Sequence, residues 1–182
     1  MGDNCDSTGL AEMPGAMDDE PSEPPRRLTL DVLAEDGDWS AFEPVETLLA
    51  TVADAVALRL DLTAAEAAVA LSSDAKVREL NRTYRGKDKP TNVLSFPADL
   101  THLPPGAPRY LGDIALAAET IVREAAEQDK TARDHLQHLV VHGLLHLLGH
   151  DHESEGEALE MEALEVEILG QLGIADPYAG AE

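Results

Sequence analysis

The residues 142–152, "HGLLHLLGHDH", hold four of the seven histidines of the chain. His142 and His146 stand four positions apart, which on a helix sets their side chains on one face, one turn from each other. Gly149 follows three residues after His146, where a helix can end in the left-handed conformation that only glycine adopts cheaply. The chain can then turn back and bring His152 towards the first two imidazoles. Three neutral imidazoles around an open fourth position make a catalytic zinc site. A structural zinc site would normally use four protein ligands, often cysteines, and the single cysteine is the distant Cys5.

The spacing H-x3-H-x2-G-x2-H is the ligand skeleton of metzincin peptidases. Those enzymes carry glutamate after the first histidine as general base; here that position is Gly143. The ligand skeleton is therefore present without the peptidase base. His150 reads as a neighbour of the site rather than a ligand, because the other three already satisfy the spacing. Asp151 either orients a ligand imidazole or caps the following helix. His138 lies one turn before His142 and reads as a solvated histidine.

These residues need elements to hold them. "RLTLDVLAED" alternates apolar and polar side chains as a half-buried strand does. Residues 39–60 place Val45, Leu48, Leu49, Val52, Val56 and Leu60 at helical spacing, with Pro44 suited to the first turn. "EAAVALSS" predicts a second strand, and Asp74 an N-cap for a helix over 75–84. The loop "RGKDKPTN" feeds a strand "VLSFP", and "LGDIALA" makes a fourth. Helices are predicted at about 118–128, 131–148 and 154–172, the last turning Leu159, Leu164 and Ile168 to the core and its glutamates to solvent. The order β-α-β-α-β-β-α-α-α predicts an α+β fold, a small mixed sheet with helices on one side. The metal site then falls on a helix of the C-terminal half and the turn after it.

A chain of 182 residues suits a single domain over 28–178, preceded by an acidic, disordered extension over 1–27. The formal net charge is −23, which taken whole argues against a nucleic-acid partner. Its distribution says otherwise. Residues 151–182 carry ten acids and no Lys or Arg, whereas residues 76–89 carry six bases against two acids. That segment (Lys76, Arg78, Arg82, Arg85, Lys87, Lys89) is either a solvated face or an anion site on an acidic body. No secretory pattern opens the chain, Asp6 stands where the myristoylation pattern needs Ser or Thr, and no apolar run reaches membrane-spanning length. The expectation is a cytoplasmic protein with no membrane partner.

"HGLLHLLGHDH" resembles the signature of the YbeY endoribonucleases, bacterial metal-dependent rRNA maturation factors. "LNRTYRGKDKPTNVLSFP" (80–97) and "LGDIALA" (111–117) match further family segments in the same order. The resemblance implies a zincin-like α+β fold, cleavage of single-stranded RNA, and a role at the small-subunit rRNA 3′ end and in ribosome quality control. Partners would then be rRNA and the small ribosomal subunit. It implies one zinc ion, or another divalent transition metal, on His142, His146 and His152, and it makes Arg85 the catalytically important arginine. Arg82, Lys87 and Lys89 would guide the RNA backbone, and Asp151 and His150 would lie behind the ligands. His150 stands where the family most often has tyrosine. Thr91, Asn92, Ser95 and Asp113 read as framework. Two other functions fit the same ligand skeleton: a zincin-type peptidase or other hydrolase, and a ribosome-associated binding factor with a structural metal.

Overall fold

The computed structural model describes residues 27–180. The acidic extension and Cys5 lie outside the described residues. Ten elements follow in order: β1 (Leu28–Ala34), a short 3-10 turn (Ser40–Phe42), α1 (Val45–Leu60), β2 (Ala65–Ser72), α2 (Asp74–Arg85), β3 (Val93–Pro97), β4 (Arg109–Ala117), α3 (Ala118–Glu127), α4 (Ala132–Leu147) and α5 (Glu155–Gln171). The order is the predicted one, and the strands form a four-stranded mixed sheet, β1-β2-β4-β3. β1, β2 and β4 run parallel, and β3 closes one border antiparallel to β4.

Strand alternation divides the core. Ala65, Ala67, Val69 and Leu71 of β2 join Ile114 and Leu116 of β4 on one face, under α1 and α4. Ala115 and Ala117, the intervening residues of β4, point the other way and meet Leu94 and Val77. α2 therefore covers the second face instead of joining the other helices. The expectation of helices on one side fails here, because alternate side chains of an apolar strand need cover on both faces.

Three local expectations also change. Pro44, expected in the first turn of the helix, is instead the N-cap of α1, which begins at Val45. The N-cap of α2 is Ser73, whose hydroxyl accepts from the Lys76 amide, while Asp74 instead accepts from the amide and hydroxyl of Thr120 at 2.9 and 2.7 Å. Asp74 thus ties the start of α2 to the start of α3. Leu159 is 62% exposed, because the inward stripe of α5 runs through Met161, Glu165, Ile168 and Leu169. Among the described residues, no helix is long and apolar enough to cross a membrane.

α4 is the central beam. It touches β3 and β4 on the sheet and α1, α3 and α5 among the helices. Thr131 caps its N-terminus by accepting from the Asp134 amide. At its other end Gly149 has φ +94° and donates its amide to the His146 carbonyl, as expected of a left-handed exit. Burial on nearly every side anchors the part of the helix that carries the histidines.

Candidate metal centre

His142 and His146 project from the last turns of α4, half-buried, and His152 returns from the turn after Gly149, exposed. One ring nitrogen from each lies within 4.8 Å of the others. The Nε2 atoms of His142 and His146 are 3.0 Å apart. Ligand nitrogens of a tetrahedral zinc, with bonds of about 2.0–2.1 Å, stand about 3.3 Å from one another. The donor set fits a transition metal without rearrangement of the helix. Burial, with the neighbouring His142 and His152 adding to it, holds the His146 imidazole below its usual pKa, in the neutral form a ligand requires.

Gly143 shows why no carboxylate follows the first histidine. A Cβ there would sit 3.1 Å from Ile114 Cδ1 and 3.2 Å from Ser95 Oγ, tighter than ordinary van der Waals contact. α4 is pressed against β3 and β4 at this point, and Ser95 donates its hydroxyl to the Gly143 carbonyl at 3.4 Å. Any side chain at this position would have to push the Ile114 and Ser95 side chains aside by a few tenths of an ångström.

The histidines open into a pocket of about 710 Å³. Its lining includes Arg85, Asn92, Ser95, His150 and Asp151 together with the three ligand candidates. Arg85, the last residue of α2, donates from Nη2 to the Ser95 carbonyl at 2.9 Å, and its guanidinium carbon lies 5.9 Å from the Phe96 ring centre. The fold thus brings Arg85 to the histidines across β3. Arg82, Lys87 and Lys89 are exposed and do not line this pocket. Arg78 spends its charge on Asp88, with an Nε to Oδ1 distance of 2.9 Å.

Asp151 accepts from the His152 amide at 2.8 Å. It does not cap α5, whose N-cap is Ser154 in a reciprocal capping box with Glu157. His150 donates its amide to the Leu145 carbonyl at 3.0 Å and fixes the turn.

Two further participants lie outside the sequence expectations. Glu165 of α5, expected among the solvated glutamates, is wholly buried. It accepts from His142 Nδ1 at 2.5 Å, from His138 Nε2 at 3.4 Å and from the Tyr178 hydroxyl. His138 is accordingly not solvated. Burial alone would raise the Glu165 carboxyl pKa, but the bonds from His138, His142 and Tyr178 outweigh it and bring it to about 2. The Tyr178 hydroxyl is pushed up, by burial and by the carboxylate it faces. The sequence held one signal for Glu165: it stands four residues after Met161 and three before Ile168, on the apolar stripe.

The family model for Endoribonuclease YbeY matches residues 35–173. An endoribonuclease YbeY of Chelativorans sp. (strain BNC1) is 54% identical over 153 residues, covering 84% of this chain and 94% of its own. That of Azorhizobium caulinodans is 52% identical over 156 residues, covering 84% and 97%. A Thermotoga maritima protein solved in solution superimposes with a TM-score of 0.53 at 28% identity, covering 79% of this chain and 91% of its own.

Proposed function

Because this chain belongs to the endoribonuclease YbeY family, we propose that the histidine pocket is its RNA-cleaving site, with residues 28–178 acting as one catalytic unit. The protein is an endoribonuclease, a hydrolase of RNA phosphodiester bonds that works in rRNA processing. The finer reading is a single-strand-specific enzyme acting at the small-subunit rRNA 3′ end and in ribosome quality control, with the small ribosomal subunit as partner. The juxtaposition of Arg85 with three histidines in one open pocket carries this reading.

His142, His146 and His152 would hold one divalent ion, zinc by the all-imidazole donor set. Such an ion supplies Lewis-acid polarisation of a phosphoryl oxygen and lowers the pKa of water to about 7. The chain's own groups do the rest. Arg85 presents a planar fork to the non-bridging oxygens, where charge gathers as the phosphorus becomes five-coordinate. Arg82, Lys87 and Lys89 meet the backbone phosphates on either side, and Asp151 holds the turn that carries His152. A pocket of about 710 Å³ admits an unpaired nucleotide more readily than a duplex, whose bases are locked in their stack.

A peptidase is disfavoured by Gly143, which supplies no carboxylate base and packs closely on Ile114 and Ser95. A purely structural metal is disfavoured by three ligands where four are the rule. The deciding experiment offers single-stranded RNA, duplex RNA and an unstructured peptide to the protein, with and without a chelator. Chelator-sensitive cleavage of the single strand alone is expected. Peptide cleavage, or RNA cleavage indifferent to thorough chelation, would overturn the reading.

A further inference from the structure

Glu165 is wholly buried, yet it lies on the stripe of α5 otherwise formed by Met161, Ile168 and Leu169. A carboxylate taken out of water has to be matched by donors, and both of its oxygens are. Oε1 accepts from His142 Nδ1 at 2.5 Å, and Oε2 accepts from His138 Nε2 at 3.4 Å and from the Tyr178 hydroxyl. An ionised carboxylate can only accept. Each of these three groups must therefore turn a hydrogen towards it. His138 obeys the same logic: its other nitrogen, Nδ1, is buried with no partner, as a neutral ring bonded through Nε2–H leaves it.

We propose that Glu165 is a positioning residue for the metal centre: it holds His142 with the proton on Nδ1, so that Nε2 presents a bare lone pair to the pocket. Tyr178, thirteen positions beyond Glu165 in the C-terminal tail, in turn fixes the carboxylate. Tyr178 is thereby part of the apparatus that aims a ligand, although it does not line the pocket. An imidazole free to exchange tautomers would offer Nε2–H part of the time, and that form cannot bind a metal through Nε2. The ring would also lose the bond that stops its rotation about Cβ–Cγ. Outer partners of this kind typically carry a 10–100-fold effect on metal affinity.

The inference rests on His142 being a ligand, so the test separates the two ideas. Histidine ring nitrogens are observed by 15N NMR in metal-free wild type, Glu165→Gln and Tyr178→Phe. Zinc affinity is measured on the same proteins by competition with a chromophoric chelator, and melting curves report the fold. Wild type should show His142 protonated on Nδ1 only. Glu165→Gln should show mixed tautomers and bind zinc about 10–100-fold more weakly, and Tyr178→Phe should lose a few-fold. Wild-type tautomer and zinc affinity in Glu165→Gln would overturn the proposal. Should that variant fail to fold, unchanged zinc affinity in Tyr178→Phe overturns it instead. Tautomer loss in Glu165→Gln alongside a wild type that takes up no zinc would overturn the metal reading and uphold the control of His142 by Glu165.

Discussion

Arg85 donates from Nη2 to the carbonyl oxygen of Ser95, 2.9 Å away, so a helix-terminal guanidinium is held on the strand that walls the histidine pocket. The bond uses one arm of the fork and leaves the remaining donors exposed. A residue tethered in this way can meet a phosphate without first being ordered.

Arg85→Ala is therefore expected to retain its metal, melt near wild type and lose about a hundredfold or more in single-turnover RNA cleavage, as for a preorganised donor at a polar transition state. Arg85→Lys should recover only part of the rate, since an ammonium keeps the charge without the fork. Wild-type cleavage by Arg85→Ala would end the catalytic assignment. Loss of metal or of the fold would make the residue structural.

The histidine geometry sets a stoichiometry. One transition-metal ion per chain is expected in wild type, and much less than one in His146→Ala, by elemental analysis after dialysis. Equal content in the two proteins would mean that the ion, if any, sits elsewhere.

For the exposed bases Lys87 and Lys89, the measure is salt. Affinity for single-stranded RNA should fall as salt rises, and Lys87→Ala with Lys89→Ala should make the logarithmic slope shallower by roughly 0.7 for each phosphate no longer neutralised. An unchanged slope would return these lysines to the role of a solvated face.

His135 sets a pH dependence. Its imidazole is buried, and burial, with the nearby His138 and Lys130 adding to it, holds its pKa down despite the Glu124 carboxylate 2.8 Å from Nε2. The unfolded chain then binds more protons than the native one as pH falls below the ordinary histidine value of about 6.5. Stability should be level above that point and decline on acidification below it. Urea unfolding near pH 7.5 and 5.5, about one unit either side of that value, should show a smaller acid loss in His135→Gln than in wild type; identical losses would rule His135 out as a source.

Gly143→Glu tests whether the packing forbids a peptidase base. Overpacking against Ile114 and Ser95 and burial of a carboxylate should cost on the order of 3 kcal/mol and give no peptide cleavage. A variant as stable as wild type would show that α4 can lift from the sheet.

What is legible in the sequence is whatever is local. The two histidines on α4 stand out by helical spacing, and His152 by the glycine that turns the chain back. β3 is bounded as expected because its alternation ends at Pro97. Arg85 stands out within the basic segment by resemblance alone, since its place depends on how α2 meets β3. Glu165 and Tyr178 stay hidden because their roles arise where elements meet, 23 and 13 positions apart in the chain. The cap of α2 misleads for a smaller reason: Ser73 and Asp74 both offer a capping oxygen, and only the packing of α3 decides that Asp74 is used elsewhere.

The border formed by β3 bears on how copies of the protein behave together. An outer strand is a template on which another chain can zip its backbone. This one is five residues long, ends in a proline that has no N–H, and has the Ser95 carbonyl already engaged by Arg85. At the opposite border β1 carries the exposed charge of Asp31 in its middle. Among the described residues, β3 offers no uninterrupted ladder and β1 sets a charge in the middle of its own, and both features discourage sheet-to-sheet pairing. The same guanidinium that faces the pocket helps keep the molecules apart.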